Sequence, residues 1–249
     1  MTSARYEVWG MASSNRSDSW LSAYILHSRP LAEHKVILQL LLPEHGRLSA
    51  VARKKSGKQQ RSLQPFQSVL LQLSGQAELK SVRKLEEQGP ALLLQGTSLY
   101  SGLYLNELLC RVWPNNLASD HLYGLYQSCL HRLALAQQQA EAIERALRTF
   151  EFDLLSELGQ PINWQFDASE QPLQPGVVYQ WQHDSGWIAS HSSDAQNGWA
   201  GQLILQVAAG DFSSIACRRA AKQMSRTFLQ PWLGTKPLSS RALFQQHSG

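Results

Sequence analysis

The apolar residues of this chain change their spacing near Gly89-Pro90, and that change fixes the class of fold. Before it, apolar positions alternate or run in short blocks bounded by Gly, Pro, Asn and Ser. After it, they recur every three to four residues. A period of 2 marks strands and a period near 3.6 marks helices. Strands first and helices second describe an α+β chain, not a series of βαβ units.

Five short strands are expected in the first part, at 21–27, 34–42, 47–53, 66–74 and 77–86. Pro43-Glu-His-Gly46 and Ser74-Gly75-Gln76 supply the tight turns. Five such strands with one long connection predict a small Greek-key barrel of the OB type. The second part predicts a helix carrying Leu99, Leu103, Asn106, Cys110 and Trp113, stopped by Pro114. A second helix is expected at 120–137 and a third at about 139–158, the latter with Ile143, Leu147, Phe150, Leu154 and Leu158 on one face. Residues 160–200 read as irregular, with a hairpin formed by 177–181 and 186–189. Helices at about 213–229, ended by Pro231, and at about 239–246 complete the chain. The expected organisation is a flexible Ser-rich leader at 1–20, an OB-fold nucleic-acid-binding domain at 21–89, and a helical domain at 90–249. That last domain carries an irregular insert at about 160–212.

Charge is unevenly placed. The net charge of +4 divides into +6 over residues 1–89, −8 over 90–211 and +6 over 212–249. Two basic regions around an acidic middle point to a polyanion, an acidic partner, or both. The densest basic stretch lies between Gly46 and Ala77. It contains Arg47, Arg53, Lys54, Lys55, Lys58 and Arg61, and no acid. Flexible cations on a Gly/Ser/Gln-rich loop suit a phosphate backbone, because they neutralise charge without a fixed register. The same composition also describes a solvated surface hairpin. Tyr24 and Phe66 are the aromatic side chains available for stacking bases, and a core role fits Phe66 better because an apolar strand follows it.

Several function classes are excluded by what is missing. Cys110, Cys129 and Cys217 are far apart and odd in number, which fits a reducing compartment and no disulfide framework. No Gly-x-Ser-x-Gly, Walker-type loop or His-Glu-x-x-His occurs. His183, Asp184, His191 and Asp194 form the one ligand-like group, and their spacing is loose. No apolar run approaches the length of a membrane span, so a cytoplasmic protein without membrane contact is expected. Glu144 and Arg148 are four apart on the third helix and read as a surface ion pair.

Six segments together resemble the bacterial recombination mediator family RecO. They are Ala23-Tyr-Ile-Leu-His-Ser-Arg-Pro30, Glu44-His-Gly-Arg-Leu-Ser-Ala-Val-Ala-Arg53, Leu63-Gln-Pro-Phe66, Leu99-Tyr-Ser-Gly-Leu-Tyr-Leu-Asn-Glu-Leu-Leu109, Ala146-Leu-Arg-Thr-Phe-Glu151 with Glu157-Leu-Gly159, and Gly234-Thr-Lys-Pro-Leu-Ser-Ser-Arg241. They occur in the family's order, from residue 23 to residue 241. The resemblance implies a non-enzymatic mediator of DNA repair that binds single- and double-stranded DNA and anneals complementary strands. It implies work with RecR and with the C-terminal tail of single-stranded-DNA-binding protein (SSB) to help load RecA at gaps. A monomer by itself, associated with the nucleoid during repair, is expected. Its rivals are a metal-dependent nuclease using His183, Asp184 and His191, and an OB-type RNA-binding module.

The SSB tail that the resemblance implies needs receivers among the remaining cations. An acidic peptide ending in an apolar residue needs a cation beside an apolar pocket, and Arg148 with Leu147, together with Lys222 and Arg226, are the expected receivers of the SSB tail. Arg218 and Arg219 lie on the same helix and read as solvated. Many family members bind zinc through four cysteines around the central hairpin. Here Val177, Tyr179 and Trp181 stand in that neighbourhood and no cysteine occurs between 130 and 216. No cofactor is therefore expected, with apolar packing holding the insert.

Overall fold

A computed structural model describes residues 19–53, 64–136, 138–190 and 198–245. The first five strands close into a barrel: β1 (Leu21–Ala32), β2 (Lys35–Leu42), β3 (Gly46–Arg53), β4 (Ser68–Ser74) and β5 (Lys80–Glu87). Their order around the barrel is β1-β2-β3-β5-β4. Every pairing is antiparallel except β3 with β5. This is the OB-type topology expected of five such strands.

Strand period explains the barrel's interior. Val36, Leu38, Leu40 and Leu42 are every second residue of β2, and they point inward with Ile25, Leu48, Val69 and Leu71. The intervening residues face out, yet Leu41 of β2 is fully buried. Leu41, Tyr24, Leu26 and Phe66 belong to the core of the helical region, which packs on that side of the barrel. A strand buried on both faces reads as a near-continuous apolar run, and that is why β2 does.

The helical region comprises α1 (Gly96–Val112), α2 (Leu122–Leu135) and α3 (Ala140–Glu157), followed by a small sheet and three more helices. The sheet has β6 (Val178–Gln182) between β7 (Gly186–Ala189) and β8 (Trp199–Ala200). α4 (Gly201–Ala208), α5 (Ile215–Leu233) and α6 (Ser240–Gln245) complete it. α1 ends at Val112 because Trp113 is extended before Pro114. Two features depart from expectation. α4 and β8 occupy a stretch read as irregular, and α5 passes through Pro231 to Leu233. Pro231 removes one amide from the last turn, and the carbonyl it leaves behind is that of Thr227, an exposed residue that water can reach.

The barrel and helices meet at Gly46. Its φ is +66°, and a Cβ there would lie 2.0 Å from the Leu117 carbonyl oxygen. Only glycine permits both that backbone conformation and that approach.

Candidate nucleic-acid interface

The outer face of β1, β2 and β3 is set by register. Arg29 lies opposite Ile37, and Ile37 opposite Val51. Gln39 faces Ser49, and Lys35 faces Arg53. Arg29, Lys35 and Arg53 are exposed and stand on the side of the hairpin from which the basic segment departs. Like charges placed opposite one another, as Lys35 and Arg53 are, repel, and an anion between them relieves that repulsion. A shallow depression of about 230 Å³ lies on this face, lined by Arg29, Ile37, Gln39, Ser49, Glu78 and Leu79. Barrels of this topology bind oligonucleotides on the face of strands 2–3 and the loop joining strands 4 and 5, which here carries Glu78 and Leu79.

The expected phosphate contacts divide into three groups. Arg53 is exposed at the end of β3. Lys54, Lys55, Lys58 and Arg61 lie outside the described residues. Arg47 is half-buried and occupied: its Nε donates to the Trp113 carbonyl at 2.8 Å and its Nη1 to Gln39 Oε1 at 2.7 Å. Burial pulls its guanidinium below the ordinary range. Arg47 thus ties the barrel to the end of α1. Arg29 and Lys35 were missed because they precede the basic stretch, and only strand register brings them beside Arg53.

Neither expected stacking aromatic is on this face. Phe66 is buried against Leu94 and Gly102, in a left-handed backbone conformation with φ 64°. Tyr24 is buried beside Tyr123 and Tyr126, with ring centroids 5.3 and 5.1 Å away. Its alternation points it away from the barrel interior, but that direction leads into the helical core.

The second group of cations converges between α3 and α5. Arg148 is buried, not on the surface, and its Nη2 lies 3.0 Å from Glu151 Oε1. Glu151 also accepts from Tyr104 of α1 at 2.6 Å and from Ser225 of α5. Burial alone would lower the Arg148 pKa, but Glu151 and Glu144 hold it raised, so the guanidinium stays charged. Glu144 bridges outward: its carboxylate lies 3.7 Å from Arg148 Nε and 3.6 Å from Lys222 Nζ. Leu147 is buried beside Arg148, whereas Lys222 and Arg226 are exposed one turn apart on α5.

The insert is held by aromatic packing. Trp181 lies 4.3 Å from Phe228 and 5.0 Å from Trp187, and Trp187 touches Trp164, Trp199 and Phe228 at centroid distances of 6.2, 6.0 and 5.6 Å. Tyr179 is buried and its hydroxyl accepts from the Gln174 amide. His183 and Asp184 sit at the β6–β7 turn, while His191 and Asp194 lie outside the described residues. Among the described residues no group of three His, Cys, Asp or Glu is placed to hold a metal, and no helix is long and apolar enough to cross a membrane.

Comparison with known proteins agrees with this architecture in both parts of the chain. Residues 17–88 match the family model "Recombination protein O N terminal", and residues 93–242 match "Recombination protein O C terminal". A protein of Alteromonas mediterranea named DNA repair protein RecO is 39% identical over 233 residues, covering 92% of this chain and 97% of that protein. The RecO proteins of Cellvibrio japonicus and Klebsiella pneumoniae are 40% and 38% identical, covering 89% and 92% of this chain and 94% of each relative. With both family models matched and relatives aligned along nearly their whole length, the chain belongs to the recombination protein O family.

Proposed function

We propose that this protein is a recombination mediator in DNA repair that performs no chemistry of its own. It binds single- and double-stranded DNA, anneals complementary strands, and acts with RecR and the SSB tail to promote RecA loading at gaps. The observation that carries the DNA-binding part is the outer barrel face, where Arg29, Lys35 and Arg53 stand exposed beside one another at the start of the Lys-rich segment. Arg53, Lys54, Lys55, Lys58 and Arg61 contact phosphates without reading sequence, and Arg47 supports them from the base of β3.

The SSB tail docks between α3 and α5. Lys222 and Arg226 meet its acidic residues there, above Leu147 and Arg148. Glu144 marks the place, because it is the carboxylate that an incoming acidic tail would replace beside Lys222 and Arg148.

The test is annealing of SSB-coated complementary strands, with and without the SSB tail, in the absence of ATP and divalent metal. A mediator anneals under those conditions and loses rate when the tail is removed. Metal-dependent strand cleavage would point to a nuclease instead. Log affinity for single strands should fall against log salt with a slope near −3, at roughly −0.7 per phosphate contact and about four contacts. Changing Lys54, Lys55 and Lys58 to Ala should flatten that slope, and an unchanged slope removes the phosphate assignment.

A further inference from the structure

A cleft of about 540 Å³ lies between the barrel and α2, away from the basic face. Ser22 and Tyr24 of β1 and Ser68 of β4 form its barrel wall. Tyr123, Gln127 and His131 form its helical wall. These three follow at four-residue steps and so share one face of α2. The two walls are joined: Gln127 Nε2 donates to the Tyr24 hydroxyl at 3.3 Å, and the Tyr24 and Tyr123 rings are tilted by 38° to each other.

The chemistry of the lining is selective. No lining residue is an acid, and His131 is the one histidine among them. His131 Nδ1 lies 2.9 Å from the Gln127 carbonyl, which can only accept. Nδ1 therefore carries the proton, and in the neutral ring Nε2 remains an acceptor. Tyr123 is half-buried, and burial raises its pKa, so it stays a neutral phenol. An aromatic wall with amide, hydroxyl and imidazole groups and no fixed charge poorly suits a phosphate or an acidic peptide. It suits a flat, uncharged group with a hydrogen-bonding edge.

We propose that this cleft receives one unstacked nucleobase of a single strand, packed against Tyr123 and contacted along its edge by Gln127 and His131. The proposal rests on the DNA-binding reading above. A second observation supports it at the start of β1, on the outer face that carries Ser22 and Tyr24. Trp20 is 40% exposed and precedes Ser22 by two residues, in the strand's period. Lys84 Nζ stands 5.9 Å from the centre of its ring. An exposed indole beside a lysine is the pairing that holds a base and its phosphate on single-strand binding surfaces. From Tyr24 to Arg29 the chain rises about 17 Å along β1. One strand of the length OB-type barrels bind, about 4–16 nucleotides, therefore reaches both the basic face and the cleft.

The experiment compares oligothymidylate with duplex DNA of equal length, by fluorescence anisotropy over a salt series, using the full chain. Tyr123→Leu should lower single-strand affinity about tenfold, with duplex affinity and salt slope unchanged, because stacking is lost and no cation is. Tyr123→Phe should retain wild-type affinity. A strand carrying 5-iodouracil should photocrosslink to the peptide containing Tyr123. If Tyr123→Leu lowers the melting temperature, Gln127→Ala and the crosslink decide. Wild-type single-strand affinity in the Leu variant, an equal loss on duplex, or a crosslink confined to other segments overturns the proposal. So does loss of SSB-tail peptide binding with DNA binding intact, which would make the cleft a peptide site. Failure of the wild-type protein to bind either DNA would instead overturn the DNA-binding reading itself.

Discussion

Arg148 and Glu151 lie one turn apart on α3 and meet at 3.0 Å inside the helical core, with side chains 5% and 0% exposed. The pair links three helices, because Glu151 also accepts from Tyr104 of α1 and Ser225 of α5. Its two members are not equivalent. Glu151→Ala leaves the buried Arg148 with only Glu144, at a distance too long for a hydrogen bond, and should destabilise the fold by about 3–5 kcal/mol. Arg148→Met keeps much of the side-chain volume and leaves Glu151 two donors, so it should cost less. Urea unfolding of the two variants checks this. A smaller loss for Glu151→Ala than for Arg148→Met would mean the carboxylate is not the centre of the network.

The same network shapes the test of the proposed SSB-tail site. Arg148→Ala should weaken tail binding by about 1–3 kcal/mol, the range of a charge-assisted hydrogen bond, and hardly change binding to naked DNA. That variant also disturbs the core. Lys222→Ala and Arg226→Ala remove exposed charges and should lower tail affinity without lowering the melting temperature. Titration of a labelled tail peptide into each variant reads both. Equal loss of DNA and tail affinity, or no loss of either, leaves Arg148 as a structural residue alone.

Glu107 predicts a pH-dependent release of the chain's last helix. Its two carboxylate oxygens accept from the Ser239 and Ser240 amides at 2.8 and 2.7 Å and so hold the start of α6. Burial pushes its pKa up, but hydrogen bonds from Ser240 and Ser239 and the charge of Arg111 outweigh that and leave it lowered. A lowered folded-state value means the stabilisation is present above the ordinary Glu range, about 4.3, and is lost as pH falls through the folded value. Amide exchange at Ser239 and Ser240 should therefore accelerate as the pH falls below the ordinary Glu range, beyond the intrinsic effect of pH. In Glu107→Gln the same amides should exchange fast already at neutral pH. Exchange unaltered by that substitution would show that α6 is held by packing alone.

Much of this architecture was legible because its signals are local. The alternation in β1 to β5 and the change of period at Gly89-Pro90 need no partner to be read. What the sequence could not supply was the identity of the neighbour. Tyr24 points out of the barrel by its period, and only the docked helices turn that outward direction into burial. Arg47 and Arg148 carry charge in any reading. Whether that charge is free depends on Trp113, 66 residues from Arg47, and, for Arg148, on Glu151, whose carboxylate is held by Tyr104 and Ser225 from two other helices. α4 escaped notice because its eight residues are too few for a helical period to stand out. Pro231 misled for a related reason. A proline in the last turn breaks one hydrogen bond, and the packing of Phe228, Leu229 and Leu233 retains the helix around it.

The insert supplies the last prediction. Zinc-binding members of the family are expected to fix this hairpin with four thiolates, and this chain has no cysteine between 130 and 216. Trp187 is instead enclosed by Trp164, Trp181, Trp199 and Phe228. Such a cluster joins β6, β7 and β8 to α5 through apolar area and edge-to-face contacts, neither of which depends on a metal. Trp187→Ala should cost about 3–5 kcal/mol, the usual loss for truncating a buried large aromatic residue. A chelator should leave the melting temperature unchanged, and elemental analysis should give well under one zinc per chain. Stoichiometric zinc that survives dialysis, with a melting temperature that falls on chelation, would return His183 and Asp184 to consideration as ligands and make the aromatic cluster secondary.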